Sequence, residues 1–128
     1  MTTPSGHTSA IRAKKVIGTA VKDRSAKKIG VVEDIVLDKQ SNTVMFAVIS
    51  FGGFLGMGEK YHPVPWSSLD YDEGESAYSV DFTEDQLRNA PSDSIDELTR
   101  NDGLAYRDKT YDYYRAERYW EPDRTTSH

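Results

Sequence analysis

Apolar residues in the first two thirds of the chain fall in short runs between polar turns, and the runs have the length of strands. Lys14–Asp23 (KKVIGTAVKD) is rich in Val, Ile and Thr and predicts a first strand, with Gly18 as a bend or bulge. Arg24–Lys27 turns the chain into a second strand, Ile29–Asp38. There Ile29, Val31, Ile35 and Leu37 share one parity, while Val32 and Val36 share the other. Either a bulge switches the register or both faces are covered. Lys39–Asn42 is a hairpin turn, and Thr43–Phe51 a third strand. Val44, Phe46 and Val48 fall on one of its faces, Met45, Ala47, Ile49 and Phe51 on the other. An antiparallel strand apolar on both faces needs cover outside the barrel, from the carboxy-terminal segment or from a second subunit.

The stretch 52–58 interleaves four glycines with Phe54, Leu55 and Met57 and reads as a flexible loop carrying apolar side chains. Tyr61–Trp66 is a fourth strand, confined to an edge or a bulge because Pro63 and Pro65 each remove a ladder donor. Ser67–Asp72 and Ser76–Phe82 form a hairpin around the acidic turn 72–75. Thr83 and Gln86 have capping-box spacing, so a short helix follows, burying Leu87 and Ala90 and closed by Pro91. Ser94–Glu97 starts a further short helix. In 104–120, aromatic residues alternate with charges, and Tyr106, Tyr113 and Trp120 recur at i, i+7 and i+14 like one helical stripe. That predicts a partly helical extension on the barrel's apolar outer face. The small polar residues of 1–13 predict a disordered tail, and 121–128 should fray.

The pieces VIGTAVKD, KKIGVVEDIVLD, GGFLGMGEKYHPVPWSSL and TEDQLRNAP, spanning residues 14–91, resemble the PRC-barrel family. The Gly-rich crossing into Pro-Trp is the specific part. The ending from Tyr113-Tyr114 to Tyr119-Trp120 is similar to the extension after such barrels in single-domain bacterial members. The resemblance implies a mainly β fold: a small six-stranded, mostly antiparallel barrel over 14–91, with a short helix after it. A partly helical extension over 92–128 would pack on the barrel or on a second subunit. The family occurs in the H subunit of photosynthetic reaction centres, packed against other subunits, and as the second domain of a ribosome maturation factor, engaging a ribosomal protein. These are docking roles and bring no catalytic residues. The chain is expected to work without the membrane helix that precedes the first and the domain that precedes the second, so neither specific role is carried over.

Charge changes this picture little. The net charge is −5 over 128 residues, yet residues 1–30 hold seven basic groups against Asp23, and 31–128 hold nine against twenty acidic ones. Most of the surface repels a nucleic acid, which only Lys14, Lys15, Lys27 and Lys28 could meet. An RNA- or ribosome-associated factor is therefore the alternative reading. No apolar run reaches membrane-spanning length and no secretory signal opens the chain, so membrane insertion is not expected and a cytoplasmic location is. Cysteine is absent.

Candidate chemistry is sparse. Gly53 and Gly58 have P-loop spacing, but Glu59 stands where the lysine must follow. His7, His62 and His128 have no ligand spacing, and Asp70, Asp72, Glu73 and Glu75 lack the order of a calcium loop. No G-x-S-x-G elbow exists. Glu33 or Asp34 could turn inward, as a structural group. The expectation is a non-enzymatic interaction module without cofactor or metal, docking a protein partner or pairing as a homodimer. Its contacts would be Phe54, Leu55 and Met57 on the loop and Tyr119 and Trp120 at the end of the extension.

Overall fold

A computed structural model describes residues 10–51 and 60–121. It contains α1 (Ala13–Val16), β1 (Ala20–Lys22), β2 (Lys28–Asp38), β3 (Thr43–Ser50), β4 (Tyr61–Pro65), β5 (Asp70–Asp72), β6 (Ala77–Ser79), α2 (Glu84–Arg88), α3 (Ile95–Leu98) and α4 (Leu104–Tyr114). The six strands form one sheet in the order β4-β3-β2-β1-β6-β5. Every pairing is antiparallel except the parallel one between β1 and β6. The fold is mainly β. The proline-bearing β4 lies at an edge, as the missing donors require, with Pro63 opposite Val48 and Pro65 opposite Phe46. No ladder joins β4 to β5 among the described residues; a 3-10 turn, Trp66–Ser68, links them.

The two parities of β2 are reconciled by the register shift at Val32/Asp34 against β3; a second shift, at Val36/Leu37, leaves Met45 as the extra residue on β3. Glu33 is the extra residue of the first shift, so Val32 and Ile35 oppose Ile49 and Ala47 and all four join the barrel interior. Val36, beyond it, packs with the outer cluster of Met45, Phe46, Val48 and Leu98. Neither Glu33 nor Asp34 pairs with a lysine among the described residues, and Asp34 accepts from the Ile35 amide at 2.8 Å.

Both faces of β3 are covered, and the cover is this chain's own. The interior holds Val21, Ile29, Val32, Ile49, Val64, Val80 and Leu87. The outer face meets Leu98 of α3, with Ile95 and Tyr106 around it. Met45, Phe46 and Val48 would otherwise be solvated, and burying each contributes about 1.5–3 kcal/mol.

Two expectations fail. Lys14–Val16 is helical, so the first strand is confined to Ala20–Lys22. Val16 reaches the barrel core from a helical turn, and Gly18, at φ +94°, bends the chain so that its amide meets the Val32 carbonyl at 2.7 Å. Nor do Tyr106, Tyr113 and Trp120 form one stripe. α4 ends at Tyr114, where Arg115 takes φ 54° and reverses the chain. Thr110 and Tyr111 are the helix's buried positions, and Tyr113 is exposed, because the Tyr111 hydroxyl donates to the Met45 carbonyl at 2.7 Å and fixes the rotation of α4.

Other local readings hold. Thr83 and Gln86 close the capping box in both directions. Leu87 and Ala90 are buried, and the Ser94 hydroxyl caps α3 by accepting from the Glu97 amide.

Candidate functional site

The hairpin β2–β3 and the end of the chain are built into one structure. Asp38 closes the hairpin: its Oδ1 accepts from the amides of Gln40 at 2.9 Å and Ser41 at 3.4 Å, with Asn42 at φ 59° completing the turn. Its Oδ2 accepts from the Tyr119 hydroxyl at 2.7 Å. That bond holds the Asp38 carboxyl below its ordinary value; burial and Asp38 together push the Tyr119 phenol up.

Tyr119 is brought there by the reversal at Arg115. The Ala116 amide bonds back to the Tyr111 carbonyl at 3.0 Å. Tyr119 and Trp120 then pack edge-on against Tyr111, with ring centres 5.8 and 4.8 Å away. The Arg107 guanidinium lies 3.8 Å from the centre of the Trp120 ring, and Arg118 reaches Asp112 and Glu121. Tyr119 and Trp120, expected as partner contacts, are thus half-buried against their own chain. Phe54, Leu55 and Met57 lie outside the described residues.

Beside this clasp opens a groove of about 410 Å³ between the hairpin tip and the start of α4. Val36, Leu37, Met45 and Leu104 give its apolar part, and Lys39, Asp102 and Arg107 bring charges to it. Leu37 is 65% exposed and Leu104 45%. Sequence reasoning missed both. Strand parity places Leu37 with Ile35, which packs on the interior cluster, but Leu37 stands one residue before the end of β2, where it is exposed. Nothing in the sequence sets Leu104 apart from its neighbours.

The basic residues are dispersed. Lys22 pairs with Glu75 at 2.7 Å, Arg24 with Asp81 at 3.0 Å, and Lys27 with Glu84 at 2.6 Å. Lys28 stands opposite Lys22 at one end of the β1–β2 pair. Lys14 and Lys15 stand at the other end, where Gly18 and Thr19 meet Val32. Four residues of strand, about 13 Å, separate the two ends. The structure therefore does not bring Lys14, Lys15, Lys27 and Lys28 together as one patch.

A wider open cleft of about 700 Å³ lies on another side, walled by Phe82, Tyr113, Tyr114, Ser67, Asp81 and Arg115. His62 is buried beside Phe51, and burial lowers its basicity. Among the described residues, no group of three or more His, Asp or Glu side chains could hold a metal ion, and no helix is long and apolar enough to cross a membrane.

The sequence profile of the PRC-barrel domain matches residues 9–87, more than half of the chain. The chain belongs to the PRC-barrel family. The match covers α1 through most of α2, so the groove joins the family domain (Leu37) to the extension beyond it (Leu104). Among solved structures, this PRC-barrel chain is similar to a protein of Pseudomonas aeruginosa designated a 16S ribosomal RNA processing protein, RimM. The two are 15% identical over 65% of this chain and 50% of that one, with a TM-score of 0.39. The chain thus spans about half the length of that relative. No curated protein matches the sequence.

Proposed function

We propose that this PRC-barrel chain is a binding module that docks another protein through the groove between the β2–β3 hairpin and the start of α4, with no reaction of its own. The observation that carries the reading is the pair Leu37 and Leu104, exposed by 65% and 45% and lining the same groove. A single exposed leucine is ordinary on a protein surface. Two that share a groove with Met45 and Val36, with Lys39, Asp102 and Arg107 around them, have the apolar centre and polar rim of a protein interface. Pairing of two copies through this groove is one form of the same reading.

The test is light scattering of the full chain over a concentration series, together with a photo-cross-linking side chain at position 37 in extract of the source cells. A dimer, or one discrete adduct, that is lost in Leu104→Asp supports the reading. A monomer at every concentration, with diffuse labelling that Leu104→Asp leaves unchanged, removes it.

The alternative, an RNA- or ribosome-associated factor, draws on Lys14, Lys15, Lys27 and Lys28. The pairing of Lys27 with Glu84 and the separation of Lys28 from α1 weaken it. It requires RNA binding that falls steeply with salt and with Lys14→Ala/Lys28→Ala.

A further inference from the structure

Residues 11–17 (IRAKKVI) form an exposed turn in which Val16 alone is buried. Val16 is 3% exposed and joins the interior core, whereas Ile11, Arg12, Ala13, Lys14, Lys15 and Ile17 are all exposed. The Lys15 and Val16 amides both donate to the Arg12 carbonyl, and the Ile17 amide donates to that of Ala13. The turned segment from Arg12 to Ile17 is therefore short, about 9 Å at 1.5 Å per residue. Ile11 and Ile17 flank it, each 43% exposed.

No acidic residue lies within the segment. The first acidic residue of the sequence is Asp23, at the far end of β1. Lys22, Arg24 and Lys27 are each held by a carboxylate, while Arg12, Lys14 and Lys15 have no ion pair among the described residues. Two exposed aliphatic side chains and three cations without an ion pair among the described residues thus fall within one seven-residue segment.

We propose that this turn docks the chain on the anionic headgroup surface of a lipid bilayer. The cations supply the attraction to the headgroups, and Ile11 and Ile17 enter the headgroup boundary, where apolar side chains are buried. The isoleucines favour a bilayer over a nucleic acid, whose phosphate backbone offers aliphatic groups nothing. The remainder of the chain carries an excess of acidic residues, which turns it away from the same surface and fixes the orientation. Three cations and two isoleucines make such docking reversible, well short of an anchor. This site is separate from the Leu37–Leu104 groove, and either could fail without the other.

The test is co-sedimentation of the full chain with phosphatidylcholine vesicles, with and without phosphatidylserine, at low and physiological salt. Binding is expected only with phosphatidylserine and should weaken as salt rises. Each cation lost near such a surface weakens binding about fivefold, so Lys14→Ala/Lys15→Ala should lose roughly thirtyfold. Ile11→Ser/Ile17→Ser should weaken it severalfold at unchanged charge. All four positions are exposed, and circular dichroism of each variant confirms an intact fold. Absent binding, equal binding to neutral vesicles, or indifference to either double substitution overturns the proposal. Binding of a single-stranded RNA but not of vesicles, unaffected by Ile11→Ser/Ile17→Ser, reassigns the turn to nucleic acid and likewise overturns it.

Discussion

The Tyr119 hydroxyl donates a 2.7 Å hydrogen bond to the Asp38 carboxylate, tying the last described turn of the chain to the tip of a hairpin 81 residues earlier. Asp38 at the same time closes its own hairpin turn through Gln40 and Ser41. Tyr119→Phe removes one donor to a charged acceptor and should cost about 1–2 kcal/mol, less than a deeply buried pair because the tyrosine is half-exposed. Thermal melting gives the loss, and a double-mutant cycle with Asp38→Asn gives the coupling. The Asp38 carboxyl lies below its ordinary 3.8, so this stabilisation is present above that pH and lost as pH falls below it. A coupling that stays constant or grows as the pH is lowered through the carboxylate range, until Asp38 is protonated, would contradict this account.

His62 sets the other acid limit. It is 5% exposed, stands opposite Ile49 in the β3–β4 ladder, and burial lowers its pKa from 6.5 against an opposing hydrogen bond to the Pro91 backbone. The unfolded chain therefore takes up a proton that the folded chain refuses as pH falls below about 6.5, and stability drops with it. His62→Phe keeps a ring against Phe51 and should flatten the fall in melting temperature just below that pH. An unchanged pH profile would remove His62 as its source.

Gly30 is required by close approach rather than by its backbone angles. A Cβ there would lie 2.7 Å from both the Ile49 Cγ2 and the Ser50 carbonyl oxygen. The backbone oxygen cannot step aside, so β2 and β3 must separate locally. Gly30→Ala should destabilise by about 1–3 kcal/mol, read as a lower denaturant midpoint at unchanged slope.

The extension is structural cover, and its removal should show as exposed core. Ending the chain at Pro91 removes Leu98, Tyr106 and Tyr111 and bares Met45, Phe46 and Val48. The shortened chain should bind a hydrophobic dye and self-associate, while the full chain does neither to the same degree. Equal dye binding by both would mean that the outer face of β3 needs no cover.

Local chemistry made much of this chain legible as sequence. The prolines of β4 dictated an edge strand, since a residue without an amide hydrogen cannot sit inside a ladder. Thr83 and Gln86 are three residues apart, and a capping box involves no other part of the molecule. The two apolar faces of β3 required a cover. What supplies it was decided only by tertiary structure, because Tyr111 meets Met45 across 66 residues. Long-range packing also explains the misreadings. Lys14–Val16 is helical because Val16 fills the barrel from a turn, and the seven-residue spacing of Tyr106, Tyr113 and Trp120 is interrupted by the reversal at Arg115. The exposure of Leu37 depends on its place at the end of the β2–β3 ladder, and the scattering of the lysines depends on which carboxylates the β5–β6 turn and α2 bring near them. Turn and cap chemistry acts within a few residues and is written in them; register shifts, ion pairs and cover join distant residues, and only the folded chain fixes them.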